Sequence, residues 1–166
     1  MEKIESSASC REAALKLLER THRTRRDLER RLKEKDFDAP AIEHTLDRLA
    51  EVGLVDDVEF ARAWLAGRWG RRPSGWRRLQ QELRANGVSQ EDAEKARDLL
   101  AERGSAPDEV ESAAKLVAQA RKRYAKLEPH AQRQRLYALL ARRGYDGGVI
   151  RRALEIEEPL ESGAES

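Results

Sequence analysis

The chain holds one cysteine, Cys10, so no disulfide can form within it. Aromatic residues make up only 5% of it, and isoleucine, threonine, tyrosine and phenylalanine are scarce. Strand formers are therefore missing, and a wide sheet core has no material. No long apolar run exists. The longest, Leu136 to Ala141, is far too short to span a bilayer. The N-terminal stretch MEKIESSASC has no apolar segment and is not a signal peptide. His22, His44 and His130 are scattered, none at metal-ligand spacing. These absences exclude a disulfide scaffold, a membrane span and a β protein. They predict a protein of the cytoplasm with no metal or cofactor.

What is present is charge and helix-forming residues. Charged residues are 39% of the 166, and apolar residues another 39%. Arginine, glutamate, alanine and leucine dominate, which predicts an all-α chain. The net charge of +2 conceals segregation. Arg20 to Lys35 carries eight bases against Asp27, Glu29 and Glu34. Lys115 to Lys126 is basic without an acid, whereas Ser89 to Ser112 and Glu155 to Ser166 are acidic. Such blocks suggest one face able to meet a polyanion or an acidic protein groove.

Helix punctuation divides the chain. Residues 1–9 read as a flexible tail, and a first helix is expected over about Cys10 to Thr21. Thr24, Asp38, Ser89 and Asp146 stand where helix N-caps are needed, and Ser105 with Asp108 reads as another start. Gly53, Gly87, Gly104 and Gly144 stand where left-handed C-caps are needed. Leu28, Leu32 and Ile42 recur as Leu79, Leu83 and Ala93, and again as Leu136, Leu140 and Ile150. The register is 51 residues for the first step and 57 for the second, read from Leu28 to Leu79 to Leu136. The pattern predicts three tandem three-helix repeats, 10–54, 55–104 and 105–156, with an acidic tail at 157–166. Units this small must pack on their neighbours, giving an elongated, curved helical array of right-handed type.

No catalytic constellation is evident. Gly70 and Gly75 have the glycine spacing of a phosphate loop, but Trp76-Arg77 stands where Lys-Ser/Thr is required. Asp56-Asp57 reads as a helix cap with a first-turn acid, or else as a contact for a basic partner. The sharpest signal lies between Arg62 and Arg84, which holds seven arginines against one acid, Glu82. Arg68, Arg71, Arg72, Arg77 and Arg78 crowd a Pro73-Ser74-Gly75 loop flanked by Trp69 and Trp76. Guanidinium groups so close repel, and a partner bearing phosphates or carboxylates would relieve this by bidentate bonds. The two indoles either stack on bases or anchor an interface, or they pack between units. Arg25, Arg26, Arg121, Lys122 and Arg123 are secondary basic candidates.

The block Gly53-Leu54-Val55-Asp56-Asp57, with Phe60-Ala61, Arg68, Gly75, Arg78-Leu79, Glu82-Leu83 and Gly87-Val88, resembles the signature of RecX regulatory proteins. Arg142-Arg143-Gly144-Tyr145 fits the same pattern, and the resemblance spans about Cys10 to Leu154. The chain departs from it at Asp36, where glycine is usual, and at Asn86, where lysine is. The resemblance implies a monomeric, non-enzymatic modulator of the RecA recombinase. Such proteins bind the RecA–single-stranded DNA filament in its groove and suppress extension, ATP hydrolysis, strand exchange and co-protease action. Direct contact with single- or double-stranded DNA is a further expectation. A stand-alone helix-turn-helix DNA-binding protein and a helical protein scaffold are the alternatives. The signature positions Gly53, Asp56, Asp57, Phe60, Gly75, Leu79, Leu83 and Gly87 are expected to be structural.

Overall fold

Nine α-helices and one 3-10 turn account for the regular structure in a computed structural model that describes residues 2–69 and 71–156. Among the described residues there is no strand. The acidic tail and Gly70 lie outside them. The first unit is α1 (Glu2–Arg20), α2 (Arg25–Lys33) and α3 (Ala39–Glu51). The second is α4 (Asp57–Trp69), α5 (Trp76–Ala85) and α6 (Gln90–Glu102). The third is α7 (Glu109–Arg121), α8 (Pro129–Arg142) and α9 (Gly147–Ile156), with the 3-10 turn Lys122–Tyr124 after α7. The first helix is longer than its sequence pattern suggested, beginning at Glu2.

Each unit has its own core. Leu28, Leu32, Ile42 and Leu46 fill the first, Leu65, Leu79 and Leu83 the second, and Val117, Leu136, Leu140 and Ile150 the third. The one-turn leucine pairs that defined the repeat are buried in all three, because i and i+4 share a helix face. Val55 packs back into the first core. Cys10 is buried there too, and burial pushes its thiol pKa up.

The caps follow side-chain chemistry. Thr24, Asp38 and Ser89 accept from Asp27, Ala41 and Asp92 N–H groups. Asp146 accepts from Gly148 and Val149. The start of α7 differs from expectation. Asp108, not Ser105, takes the N-cap position and accepts from Val110 and Glu111. Ser105 is spent on the preceding turn, donating its N–H to Leu100.

Candidate functional site

The units join by one recipe used twice. At the first joint Asp57, at the start of α4, accepts the Arg25 N–H through Oδ1 at 2.9 Å. Arg25 is the first residue of α2, so an acid of the second unit caps a helix of the first. At the second joint Glu109, at the start of α7, accepts the Trp76 N–H at 2.7 Å, and Trp76 is the first residue of α5. The loop after the next second helix closes the contact. The Thr24 hydroxyl donates to the Asn86 carbonyl at 2.6 Å. Gly75 and Arg77 N–H groups donate to the Arg143 and Gly144 carbonyls at 2.9 and 3.2 Å.

Glycine is required in that loop. Gly144 has φ +85°, and a Cβ there would lie 2.5 Å from the Arg78 Cβ. Gly87 has φ +95°, and its Cβ would lie 2.8 Å from the Arg26 Cβ. Asp36 holds the same place in the first unit with φ +63°. Among the described residues no other unit packs on this turn, so the strain of a left-handed aspartate is what applies there. The third unit ends the recipe differently. Leu79 to Leu136 sets Gln132 opposite Gly75, but α8 already begins at Pro129.

The arginine loop lies at the second joint. Of its guanidinium groups, two are neutralised internally. Arg68 reaches Glu82 at 3.1 Å and Arg78 reaches the same carboxylate at 3.0 Å. Arg68 also donates to the Arg72 carbonyl at 2.8 Å, holding the loop closed. The Arg68 bond first, with help from Arg78, keeps the Glu82 carboxyl below its usual range. Arg71, Arg72 and Arg77 are exposed and make no side-chain hydrogen bond or ion pair among the described residues. Arg143 of the third unit joins them, donating to the Pro73 carbonyl at 3.3 Å. The sequence reading missed this fourth member, since seventy positions separate the two residues in the chain.

Both indoles are partly buried against the middle core. The Trp76 ring carries the Arg97 guanidinium at 4.7 Å, and Arg97 also pairs with Glu109 at 3.2 Å. Trp64 and Phe60 pack partly buried on the same core. Arg25 pairs with Asp47 at 2.6 Å, while Arg26 stays exposed in the repeat position of Arg77. Lys122 and Arg123 are exposed on the 3-10 turn and Arg121 is half-buried; no hydrogen bond or ion pair links them to the loop. Glu109 and Asp108 repeat Asp57 and Asp56 fifty-two residues on, a signal that extending the repeat alignment would have exposed.

Comparison with known proteins decides the family. Residues 10–49, 56–96 and 107–154 match the profiles of the first, second and third three-helix domains of RecX. The Regulatory protein RecX of Thermobifida fusca is 36% identical over 156 residues, covering 93% of this chain and 80% of its own. The chain belongs to the RecX family. The RecX regulatory protein of Chlorobium phaeobacteroides is 32% identical, covering 86% of this chain and 89% of its own. A crystal structure of RecX from Lactobacillus salivarius superposes with a TM-score of 0.82 at 20% identity, covering 92% of this chain and 97% of that one. The shared fold is thus the tandem three-helix array. Among the described residues no helix is long and apolar enough to cross a membrane.

Proposed function

We propose that this chain restrains the RecA recombinase by binding its filament on single-stranded DNA. It acts in the cytoplasm as a monomer and does no chemistry of its own. Binding opposes filament extension and with it ATP hydrolysis, strand exchange and co-protease action. Membership of a family of regulatory proteins supports the partner. The exposed, unpaired Arg71, Arg72 and Arg77, with Arg143 beside them, support the binding surface. Guanidinium groups held on a braced loop lose little freedom when a carboxylate or phosphate arrives. Trp69 and Trp76 border this surface and stiffen it. Arg26, Lys122 and Arg123 are further exposed bases available to the same partner.

The helix-turn-helix alternative gains no support from the middle unit. Its third helix, α6, would be the reading element, yet it carries five acids (Glu91, Asp92, Glu94, Asp98, Glu102) against Lys95 and Arg97. Such a helix repels a phosphate-lined groove.

The test is addition of the purified protein, at substoichiometric amounts, to cognate RecA on single-stranded DNA. ATP hydrolysis and filament length should both fall. Unchanged hydrolysis and length would reject the proposal.

A further inference from the structure

The first unit carries a groove whose apolar lining residues the middle unit does not repeat. It lies between α1 and α3 and encloses about 600 Å³. Ala41, Leu49, Val52 and Leu54 line it, and Arg11 and His44 stand at its rim. Val52 and Leu54 are 68% and 52% exposed. A single exposed apolar side chain means little, but these flank one concavity.

The fold does not demand this apolar lining. By the 51-residue register, Ala41, Val52 and Leu54 correspond to Asp92, Arg103 and Ser105 in the middle unit. Both units build the same thirteen-residue third helix and the same left-handed glycine after it, Gly53 and Gly104. One backbone therefore tolerates polar residues at these three places. Thr45, also in the groove lining, is 2% exposed, and its hydroxyl faces only the Cys10 thiol, a weak hydrogen-bonding partner. The middle unit has Ala96 there, so packing does not require a hydroxyl. Bases outnumber acids in the lining: Arg11, His44 and Arg48 stand against Asp38, which caps α3 through the Ala41 N–H. Arg11 and His44 are exposed and without an ion pair among the described residues, and Arg48 is exposed with Glu51 at 2.9 Å.

We infer that this groove docks a short acidic protein segment, one aliphatic side chain seating against Leu49, Val52 and Leu54 while carboxylates meet Arg11 and Arg48. An aliphatic anchor in an apolar cleft flanked by complementary charge is the usual form of peptide capture. A phosphodiester chain has no use for these apolar walls, and the groove offers no Phe, Tyr or Trp for a base. The identity of the partner rests on the reading above: the segment belongs to the protein of the filament, not to its DNA.

The experiment compares full-length wild type with a Val52→Asp/Leu54→Asp double variant and a Leu99→Asp control, whose apolar side chain is 38% exposed outside the groove. ATP hydrolysis by cognate RecA filaments is titrated with each, and fluorescence anisotropy records binding to bare single-stranded DNA. The double variant should need about tenfold more protein for half-inhibition, the size of a lost interface hot spot. Its DNA binding and melting temperature should match wild type, and the Leu99 variant should inhibit normally. Full inhibition by the double variant overturns the groove while leaving the regulator reading intact. An equal loss of bare-DNA binding assigns the groove to nucleic acid and also overturns it. A wild-type dimer in sedimentation that the double variant dissociates makes a second copy the occupant, with the same consequence. If wild type itself leaves hydrolysis unchanged, the regulator reading fails and the assigned partner falls with it.

Discussion

Asp57 of the second unit caps the first backbone amide of α2 in the first unit, Oδ1 to Arg25 N, at 2.9 Å. Glu109 does the same for α5 at 2.7 Å. Three small cores are thereby locked in sequence by acids that belong to the following unit. The acid pair at 56–57 is divided in labour, since Asp56 caps its own helix at Glu59 while Asp57 reaches across. Asp57 thus spends one carboxylate oxygen on a backbone amide of the preceding unit, a structural use.

Removing either acid should loosen the array. Asp57→Ala and Glu109→Ala should each cost about 0.5–2 kcal/mol, the range for a lost helix cap. Urea denaturation followed by circular dichroism measures this. Wild-type midpoints for both variants would show that the caps across the joints carry no energy.

Asp57 also gives the joint a pH signature. Burial, the largest influence, raises its carboxyl pKa above the ordinary 3.8. The folded chain then holds that proton more tightly than the unfolded one. Stability from this group is fully present below the ordinary value and falls as pH rises through the raised one. Asp57→Asn keeps an acceptor for the Arg25 amide and does not titrate. Its stability relative to wild type should therefore grow with pH across that window. A difference that is flat from acid to neutral pH would count against the buried carboxylate.

Asp27 should behave in the opposite sense. Burial works to raise its pKa, but Arg30, Arg31 and Arg23 together outweigh that and hold it at about 2. Their contacts lie at 2.7, 2.9 and 2.8 Å. This contribution is present above the ordinary value of 3.8 and is lost as pH falls toward about 2. Asp27→Asn should remove that acid-dependent loss. Parallel acid titrations of wild type and variant by circular dichroism decide the matter.

Two glycine substitutions separate backbone strain from crowding. Gly53 has φ +73° with open space around it, so Gly53→Ala should cost about 1–2 kcal/mol, the left-handed penalty alone. Gly144→Ala adds overlap with Arg78, which costs about 1–3 kcal/mol more. Thermal melts should rank wild type above Gly53→Ala and that above Gly144→Ala. Equal melting of the two variants would mean that the joint yields freely.

The loop arginines should divide by role. Arg71→Ala/Arg72→Ala/Arg77→Ala should leave helix content and melting unchanged, because these side chains bond nothing in the fold. Filament binding should weaken at least about tenfold, and its salt dependence should flatten. Arg68→Ala should instead lower the melting temperature, since it leaves Glu82 with Arg78 alone and frees the Arg72 carbonyl. Undiminished binding by the triple variant would remove the loop from the proposed surface.

Sequence alone determined the helical class, the three-unit repeat and most helix ends. Those features are local. A leucine four residues from another shares its helix face wherever the helix goes. Thr24 and Asp38 cap amides three residues away. The family resemblance was equally legible, because its residues cluster between Gly53 and Val88. The tertiary structure decided which charges are free. Arg78 meets Glu82 one turn on along α5, a local pair, but Arg68 looks like Arg71 and Arg72 in sequence, and only the approach of α5 to the end of α4 gives it the same carboxylate. It also decided that Arg143 meets the Pro73 loop and that Glu109 caps α5, pairings between residues far apart in the chain. Periodicity tells which face of a helix is buried. Which distant charge meets which is set by how three cores stack, and that is a property of their joints.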